Sequence, residues 1–405
     1  MSSREGHYSV PRARTVGFVS HTAGRYGAEL VLLDLIDGLR QKDVDCTVVL
    51  PEKGPLMEDL AHRKVPYALL PYRWWGNRWG FASSVEKRTL RALFNMAMVV
   101  PVAVRLLRWR VDVIFTNTAA TPVGALAAWL LRKPHIWLVH EFIGIESGLS
   151  LDLGVSWPLR LISALSDVVI VNSRAVYAQY ARYVAQERLR VIYPSSLEWH
   201  GTAGVVPADA PSLFQPGHPL KLVMIGEVSK RKGQLDALQA LQELTRKRID
   251  ASLTIIGEVD PAYFQRLAHF IAQHRLEPRV QFTGYLTDPL PAMQAADLLL
   301  LCSPCESFGR VTIEAMRLGK PVIGTRSGGT PELIQDHFTG LLYSPGDVHE
   351  LAEKIRWFAS SPHRVGELGR NGQRWVEGRF TQEAYAEQVL QVLGEVVGTR
   401  GPSRS

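Results

Sequence analysis

From residue 15 onward, short runs of apolar and β-branched residues alternate with longer segments whose apolar positions recur every three or four residues. The runs at 15–20, 46–50, 111–117, 135–141, 167–173 and 190–194 predict strands, and segments such as "AELVLLDLIDGLR" at 28–40 predict helices between them. Near-continuous hydrophobic strands separated by amphipathic helices predict a parallel sheet covered on both faces. About twenty residues rich in Pro, Gly and Ala follow, "EWHGTAGVVPADAPSLFQPGHP", and predict a linker over 201–219. The pattern then restarts, with strands expected at 221–227, 251–258, 280–285, 297–303 and 321–326. The expected fold class is α/β, with two Rossmann-like doubly wound domains, 1–200 and 220–378, facing a central cleft lined by the C-terminal edges of their sheets. A last helical run at 379–397 is expected to cross back to the first domain, and 398–405 to be a disordered tail.

Length agrees, since 405 residues exceed a single ordinary core. The net charge of +7 changes the picture more, because it is uneven. Residues 1–110 hold 17 Lys and Arg against 10 Asp and Glu, whereas 111–200 hold 7 of each and 201–405 hold 22 of each. Within 60–110 there are ten basic residues and one acid, Glu86, interleaved with aromatics in "YRWWGNRWGF". That mixture suits an anionic membrane surface, while "RALFNMAMVVPVAVRLL" also reads as a cover helix interrupted by Pro101. No nucleic-acid recognition motif accompanies the charge, so nucleic acid is not expected as a partner. Uncharged apolar runs stay shorter than the roughly 18 residues of a membrane span, and the first residues lack a signal peptide's apolar core. Together with three cysteines in no disulfide framework, this places the expected location in the cytoplasm, peripheral on the inner face of the plasma membrane.

Chemistry concentrates at strand-to-helix turns. In "HTAGRYGAE", Gly24 and Gly27 follow the first strand, where glycines let a ligand approach backbone N–H groups at a helix N-terminus. In "MIGEVSKRKGQLDAL", Lys230, Arg231 and Lys232 precede a glycine and a helix, a placement that suits a diphosphate. In "CSPCESFGRVTIEAM", Glu306 falls in a loop beside the N–H groups of Phe308, Gly309 and Arg310, and Glu314 lies inside the following helix. A carboxylate there reads hydroxyl pairs such as a ribose diol or a sugar; glycosidase acid and base is the rival reading, and plain stabilisation of the helix dipole the blandest. Cys302 and Cys305 form a Cys-x-x-Cys without a second pair or a redox context, and are expected to be packing residues. His140 ends a strand in "WLVHEF", where a ligand role and a structural one are equally open.

Taken together and in order, these segments resemble glycosyltransferase family 4, the retaining, nucleotide-sugar-dependent transferases of the GT-B fold. The likeness spans roughly 14–395. Its most specific part is the Glu-x7-Glu signature, standing as Glu306 to Glu314, with "GEVSKRKGQ", "VQFTGYL", "GKPVIGTRSGGTPELI" and "GLLYSPGD" in the expected order around it. The resemblance implies that Glu314 binds the ribose hydroxyls, that Glu306 contacts the donor sugar, and that the amides of Phe308 and Gly309 reach sugar or phosphate oxygens. It implies Lys232 on the diphosphate, His140 near the reacting centre and Gly24 in the loop that closes on the donor phosphate. Two departures stand out. Glu227 occupies the place of the family's arginine after glycine, so Arg231 or Lys230 substitutes or activity falls; Ser195 and Ser196 replace the usual Asn-Gly.

The implied reaction is sugar transfer from a nucleotide diphosphate sugar to a hydroxyl of a glycan or lipid-linked acceptor, in cell-surface polysaccharide or glycolipid synthesis. No cofactor is expected beyond the donor, and no metal, on the reading that the chain has no Asp-x-Asp ligand pair. The competing readings are a nucleotide-sugar-binding protein without turnover and another GT-B enzyme such as an epimerase or phosphorylase.

Overall fold

The computed structural model describes residues 13–78, 84–144, 149–196 and 218–400. The predicted linker, all but its last two residues, and Trp79 to Phe81 of the aromatic stretch lie outside them. The chain divides into two compact units, Met1–Leu197 with Thr381–Ser405, and Glu198–Phe380.

In chain order the first unit contains β1 (Thr15–Ser20), α1 (Gly27–Arg40), β2 (Asp45–Leu50), α2 (Leu56–His62), β3 (Tyr67–Leu69), β4 (Gly76–Arg78) and α3 (Val85–Arg108). It continues with β5 (Val113–Asn117), α4 (Val123–Leu131), β6 (His135–Val139), β7 (Leu149–Leu151), α5 (Ser156–Leu165), β8 (Val168–Val171), α6 (Arg174–Tyr180) and β9 (Leu189–Val191). Seven strands form one parallel sheet in the order β3-β2-β1-β5-β6-β8-β9, and β4 pairs antiparallel with β7. β5 and β6 are buried throughout, and β1 at all but its first residue, because helices cover both faces, which is why they read as nearly continuous apolar runs. The short strands β3, β4 and β7 gave no such run.

The second unit contains β10 (Leu220–Ile225), α7 (Gln234–Arg246), β11 (Ala251–Ile256), α8 (Pro261–His274), β12 (Val280–Gly284), α9 (Leu290–Ala295), β13 (Leu298–Leu301) and α10 (Arg310–Arg317). Then come β14 (Val322–Thr325), α11 (Thr330–Leu333), β15 (Gly340–Tyr343), α12 (Val348–Ala359) and α13 (Pro362–Val376). Its sheet is parallel, in the order β12-β11-β10-β13-β14-β15. Asp260 starts α8 by accepting from the N–H groups of Ala262 and Tyr263 at 2.9 and 3.2 Å, with Pro261 at the first helical position.

The last helix, α14 (Gln382–Arg400), returns to the first unit. Tyr385, Val389, Val392, Leu393 and Val396 are buried in one core with Leu32, Leu35, Ile36 and Leu39 of α1. Gly38 permits the approach: a Cβ there would lie 2.7 Å from that of Ala386. Two expectations need correction. Residues 398–400, assigned to a disordered tail, are helical, and 401–405 lie outside the described residues. Pro101 does not interrupt α3, which runs unbroken from Val85 to Arg108. The N–H that proline lacks would have met the carbonyl of Ala97, an exposed residue whose carbonyl water can satisfy.

Candidate active site

Each sheet has one place where strand order reverses, between β10 and β13 in the second unit and between β1 and β5 in the first. Loops leaving the C-terminal ends of the strands diverge there, and ligands of open α/β sheets bind in the resulting crevice.

In the second unit those loops are 226–233 and 302–309, and they carry the residues singled out from sequence. Lys230, Arg231 and Lys232 form one 3-10 turn, ended by Gly233 with φ +69°. No other residue fits, because a Cβ at Gly233 would run into the carbonyl of Cys302 at the end of β13. This contact fixes the two loops together. Lys232 Nζ donates to Glu306 Oε2 at 2.7 Å. Burial pushes the Glu306 carboxyl up, but the charges of Lys232 and Arg231 outweigh it and hold the group below the usual carboxylate range. The backbone beside it is pinned as well: Gly329 N–H donates to the Glu306 carbonyl at 2.8 Å, and Gly328, with φ +57°, lies against that carbonyl. Gly309 begins α10 in the left-handed region, φ +88°, and offers no side-chain cap to the helix amides.

Glu314 occupies the fifth position of α10 and is buried. Arg310 Nε stands 3.8 Å from its Oε1, an ion pair beyond hydrogen-bond distance. Burial pushes this carboxyl up, and Arg310 and Arg317 offset that only in part. The two glutamates therefore differ: one is clamped by an ammonium, the other only loosely paired. Ser229 Oγ, Gln234 Oε1 and Thr312 Oγ1 on the same loops and helix starts are buried with no hydrogen-bond partner among the described residues.

Glu227 has a local partner: Arg231 Nη2 lies 3.4 Å from its Oε2. Of the two cations that could replace the missing arginine, Arg231 is thus drawn toward Glu227. Cys302 is a buried free thiol pushed up to about 12 by burial. A thiol held that far from ionisation is not a redox nucleophile.

In the first unit, Gly24 lies in the turn between β1 and α1, with Thr22 Oγ1 accepting from its N–H at 3.2 Å. The Tyr26 ring packs against Gly24 so closely that a Cβ would overlap it. Next to β5, His140 follows β6 and places Nε2 2.9 Å from Asn117 Oδ1, while Asn172 Nδ2 donates to the His140 carbonyl at 3.0 Å. Thr118 adopts φ +77°, a strained conformation for a β-branched residue, and is held by its N–H to Leu138 O at 2.7 Å and by Trp137 Nε1 to its carbonyl at 2.8 Å.

Sequence reasoning missed Glu141. Its Oε1 accepts from Ala119 N–H at 2.5 Å and its Oε2 from His140 N–H at 3.0 Å, which joins the strained turn to the histidine. Burial pushes this carboxyl up to about 7 against the pull of those two N–H groups. An acid directly after a strand-end histidine, together with Asn117 ending β5, was the available signal. Ser195 also has an account here, since its Oγ donates to the buried Asp34 on α1 at 3.1 Å.

The chain does contain one Asp-x-Asp, Asp43-Val44-Asp45. It lies at the N-terminal end of β2, the opposite end of the sheet from these loops. The His and Glu cluster of Glu243, His349 and Glu353 holds Lys247 Nζ 2.8 Å from both glutamates, so an ammonium already occupies its centre.

Two doubly wound units, one bearing a lysine-clamped glutamate with a second glutamate two turns on, define the GT-B class of glycosyltransferase. Residues 206–375 match the model of "Glycosyl transferases group 1", and residues 26–195 that of "Glycosyltransferase Family 4". The chain belongs to this family of glycosyltransferases. It is 27% identical over 260 residues to the human alpha-1,3/1,6-mannosyltransferase ALG2, covering 60% of this chain and 62% of the relative. It is 31% identical over 176 residues to the Bacillus anthracis N-acetyl-alpha-D-glucosaminyl L-malate synthase, covering 44% and 45%. The chain thus spans less than two thirds of either relative. With the 2-deoxystreptamine glucosyltransferase of Streptomyces kanamyceticus it shares 27% over 310 residues, covering 72% and 79%. Among solved structures, Anabaena Alr3699/HepE in complex with UDP superposes with a TM-score of 0.75 at 24% identity, over 94% of this chain and 100% of that one.

Proposed function

We propose that this protein transfers a sugar, with retention of anomeric configuration, from a nucleotide diphosphate sugar to a hydroxyl of a glycan or lipid-linked acceptor. The observation that carries the reading is the 2.7 Å Lys232–Glu306 pair at the strand-order reversal of the second unit, with Glu314 on the helix that follows. The UDP held by the Anabaena relative supports a nucleotide donor of this kind.

In this reading Glu314 accepts hydrogen bonds from the ribose diol, and its loose pairing leaves both carboxylate oxygens available. Lys232 binds the diphosphate. An ammonium has three donors, so a hydrogen bond to Glu306 leaves two for phosphate oxygens. Glu306, kept ionised by that lysine, accepts from hydroxyls of the donor sugar, and the amides of Phe308 and Gly309 at the start of α10 face its oxygens. Arg231 adds charge once drawn from Glu227. Gly24 closes on the donor phosphate, and His140 acts near the reacting carbon. The bond from the anomeric carbon to the phosphate oxygen breaks as the bond to the acceptor oxygen forms on the same face, and the acceptor proton passes to the departing phosphate. Fixed cations and N–H groups stabilise the charge that develops on that phosphate.

A thermal-shift panel of UDP-, GDP- and ADP-sugars on the wild type and on Glu314→Ala tests the reading. Stabilisation by one nucleotide class, lost in the variant, supports it and names the base. Silence with every donor overturns it. Stabilisation without transfer to any acceptor points instead to a binding protein, with Glu227 as the first residue to change.

A further inference from the structure

Helix α3 is apolar on two sides. Inward, Val99, Val102, Ala103 and Leu106 are buried in one core with Val19 of β1 and Ile114 of β5. Outward, Leu90, Leu93, Met96, Val100, Val104 and Leu107 are exposed, Leu93 at 63% and Val100 at 56%. Their spacing of three, three, four, four and three places them on one face for nearly five turns. A surface helix ordinarily turns polar residues to water, so this stripe calls for a partner.

The elements beside α3 extend the same character. Arg91 pairs with Asp152, and Arg88 Nη1 donates to the Asp152 carbonyl at 3.1 Å, which fixes the segment before α5 against the first half of α3. That segment and the start of α5 expose Leu153 at 62% and Trp157 at 65%, and the end of α4, which packs on α3, exposes Trp129 at 69%. Arg160 stands 6.0 Å from the Trp157 ring, and Arg105 5.5 Å from the Trp109 ring. Trp157 is exposed and Trp109 partly buried, and tryptophan and arginine are both favoured at a membrane interface. No acid occurs between Glu86 and Asp112, whereas Lys87, Arg88, Arg91, Arg105, Arg108 and Arg110 do.

Charge separates the candidate occupants. A second copy meeting this face about a two-fold axis would set cations against cations, with no acid on the helix beyond Glu86 to meet them. An anionic bilayer supplies both an apolar layer for the stripe and phosphates for the cations. At 24 residues α3 is long enough to cross a membrane, but its inner face is committed to the sheet, so it lies along the surface.

We propose that the outward face of α3, with Trp129 and Trp157, seats the first unit on an anionic phospholipid bilayer with the helix axis in the membrane plane. This goes beyond the transfer reading and does not depend on it. The test is cosedimentation of the full chain with vesicles of phosphatidylcholine, alone or mixed with phosphatidylglycerol, comparing the wild type with Leu93→Glu/Val100→Glu. Both substituted positions are exposed, and an unchanged melting temperature verifies the fold. The wild type should bind the mixed vesicles about tenfold or more better than the neutral ones, and the variant should lose that binding. No binding by the wild type, or binding that the variant retains, overturns the proposal. So does a dimer on size-exclusion chromatography that the variant dissolves, which would assign the face to a second copy.

Discussion

The two strand-order reversals share a topology and differ in chemistry. In the second unit, a mobile-length cation, Lys232, satisfies a buried carboxylate, and Glu306 sits below the usual range. In the first, two backbone N–H groups satisfy Glu141, and burial wins, so its carboxyl is pushed up to about 7. An ammonium partner can be surrendered in part to an anionic ligand; a backbone N–H on a strained turn cannot. The first arrangement suits recognition of charge, the second suits holding a histidine in place.

The largest effect that would break this comparison comes from Lys232→Ala. If the ammonium serves both Glu306 and a phosphate, the transfer rate should fall about 100- to 1000-fold, and urea denaturation should show a loss of about 3 kcal/mol from the carboxylate left buried alone. Lys232→Met with Glu306→Gln should recover the stability and none of the rate. Recovery of both would mean that the pair is only structural.

Glu314→Ala should weaken binding of whichever nucleotide stabilises the wild type by about 10- to 100-fold, the usual worth of hydrogen bonds to a charged group. In the absence of ligand, Glu314→Gln should melt no lower than the wild type near pH 7, because burial already disfavours the charge it removes. A large loss of stability would reverse the assignment.

The pH response should separate the units. Glu141 binds its proton more tightly folded than unfolded, so its contribution is complete below about pH 4 and is lost as pH rises through about 7. Stability should fall by up to about 3 kcal/mol between pH 4 and 8, and Glu141→Gln should flatten that fall. Glu306 has the opposite sign: its folded carboxyl is depressed, so its contribution is present above the unfolded value and is lost as pH falls through the folded one. Identical profiles for the wild type and Glu141→Gln would remove the distinction. The smallest effect is expected of Glu227→Gln, which releases Arg231 from an i,i+4 pair and should change donor affinity by about twofold.

Much of this was legible in sequence because of how the sheets are buried. The inner strands are apolar at most positions, and the turns that carry Gly24, Lys232 and Glu306 interrupt them sharply. The three-residue strands β3, β4 and β7 are too short to give a comparable run. The continuity of α3 through Pro101 depended on where the freed carbonyl points, which residue type does not reveal. Glu141 was hidden for another reason: its partners are the N–H groups of Ala119 and His140, and backbone donors carry no signature in residue identity. The pairing of Arg231 with Glu227 joined one of the two candidate substitute cations to the residue that stands in the missing arginine's place, which residue order alone does not reveal.

The return of α14 to the first unit means that the second unit is inserted within the first along the chain. Synthesis from the N-terminus therefore completes the second unit before the first has its last helix. Until α14 arrives, the face of α1 that carries Leu35 and Leu39 has no helix to cover it, and the nascent first unit is the more exposed of the two to chaperones and proteases. A fragment that stops near residue 197 should share that weakness, whereas residues 218–380 already contain all of their own core.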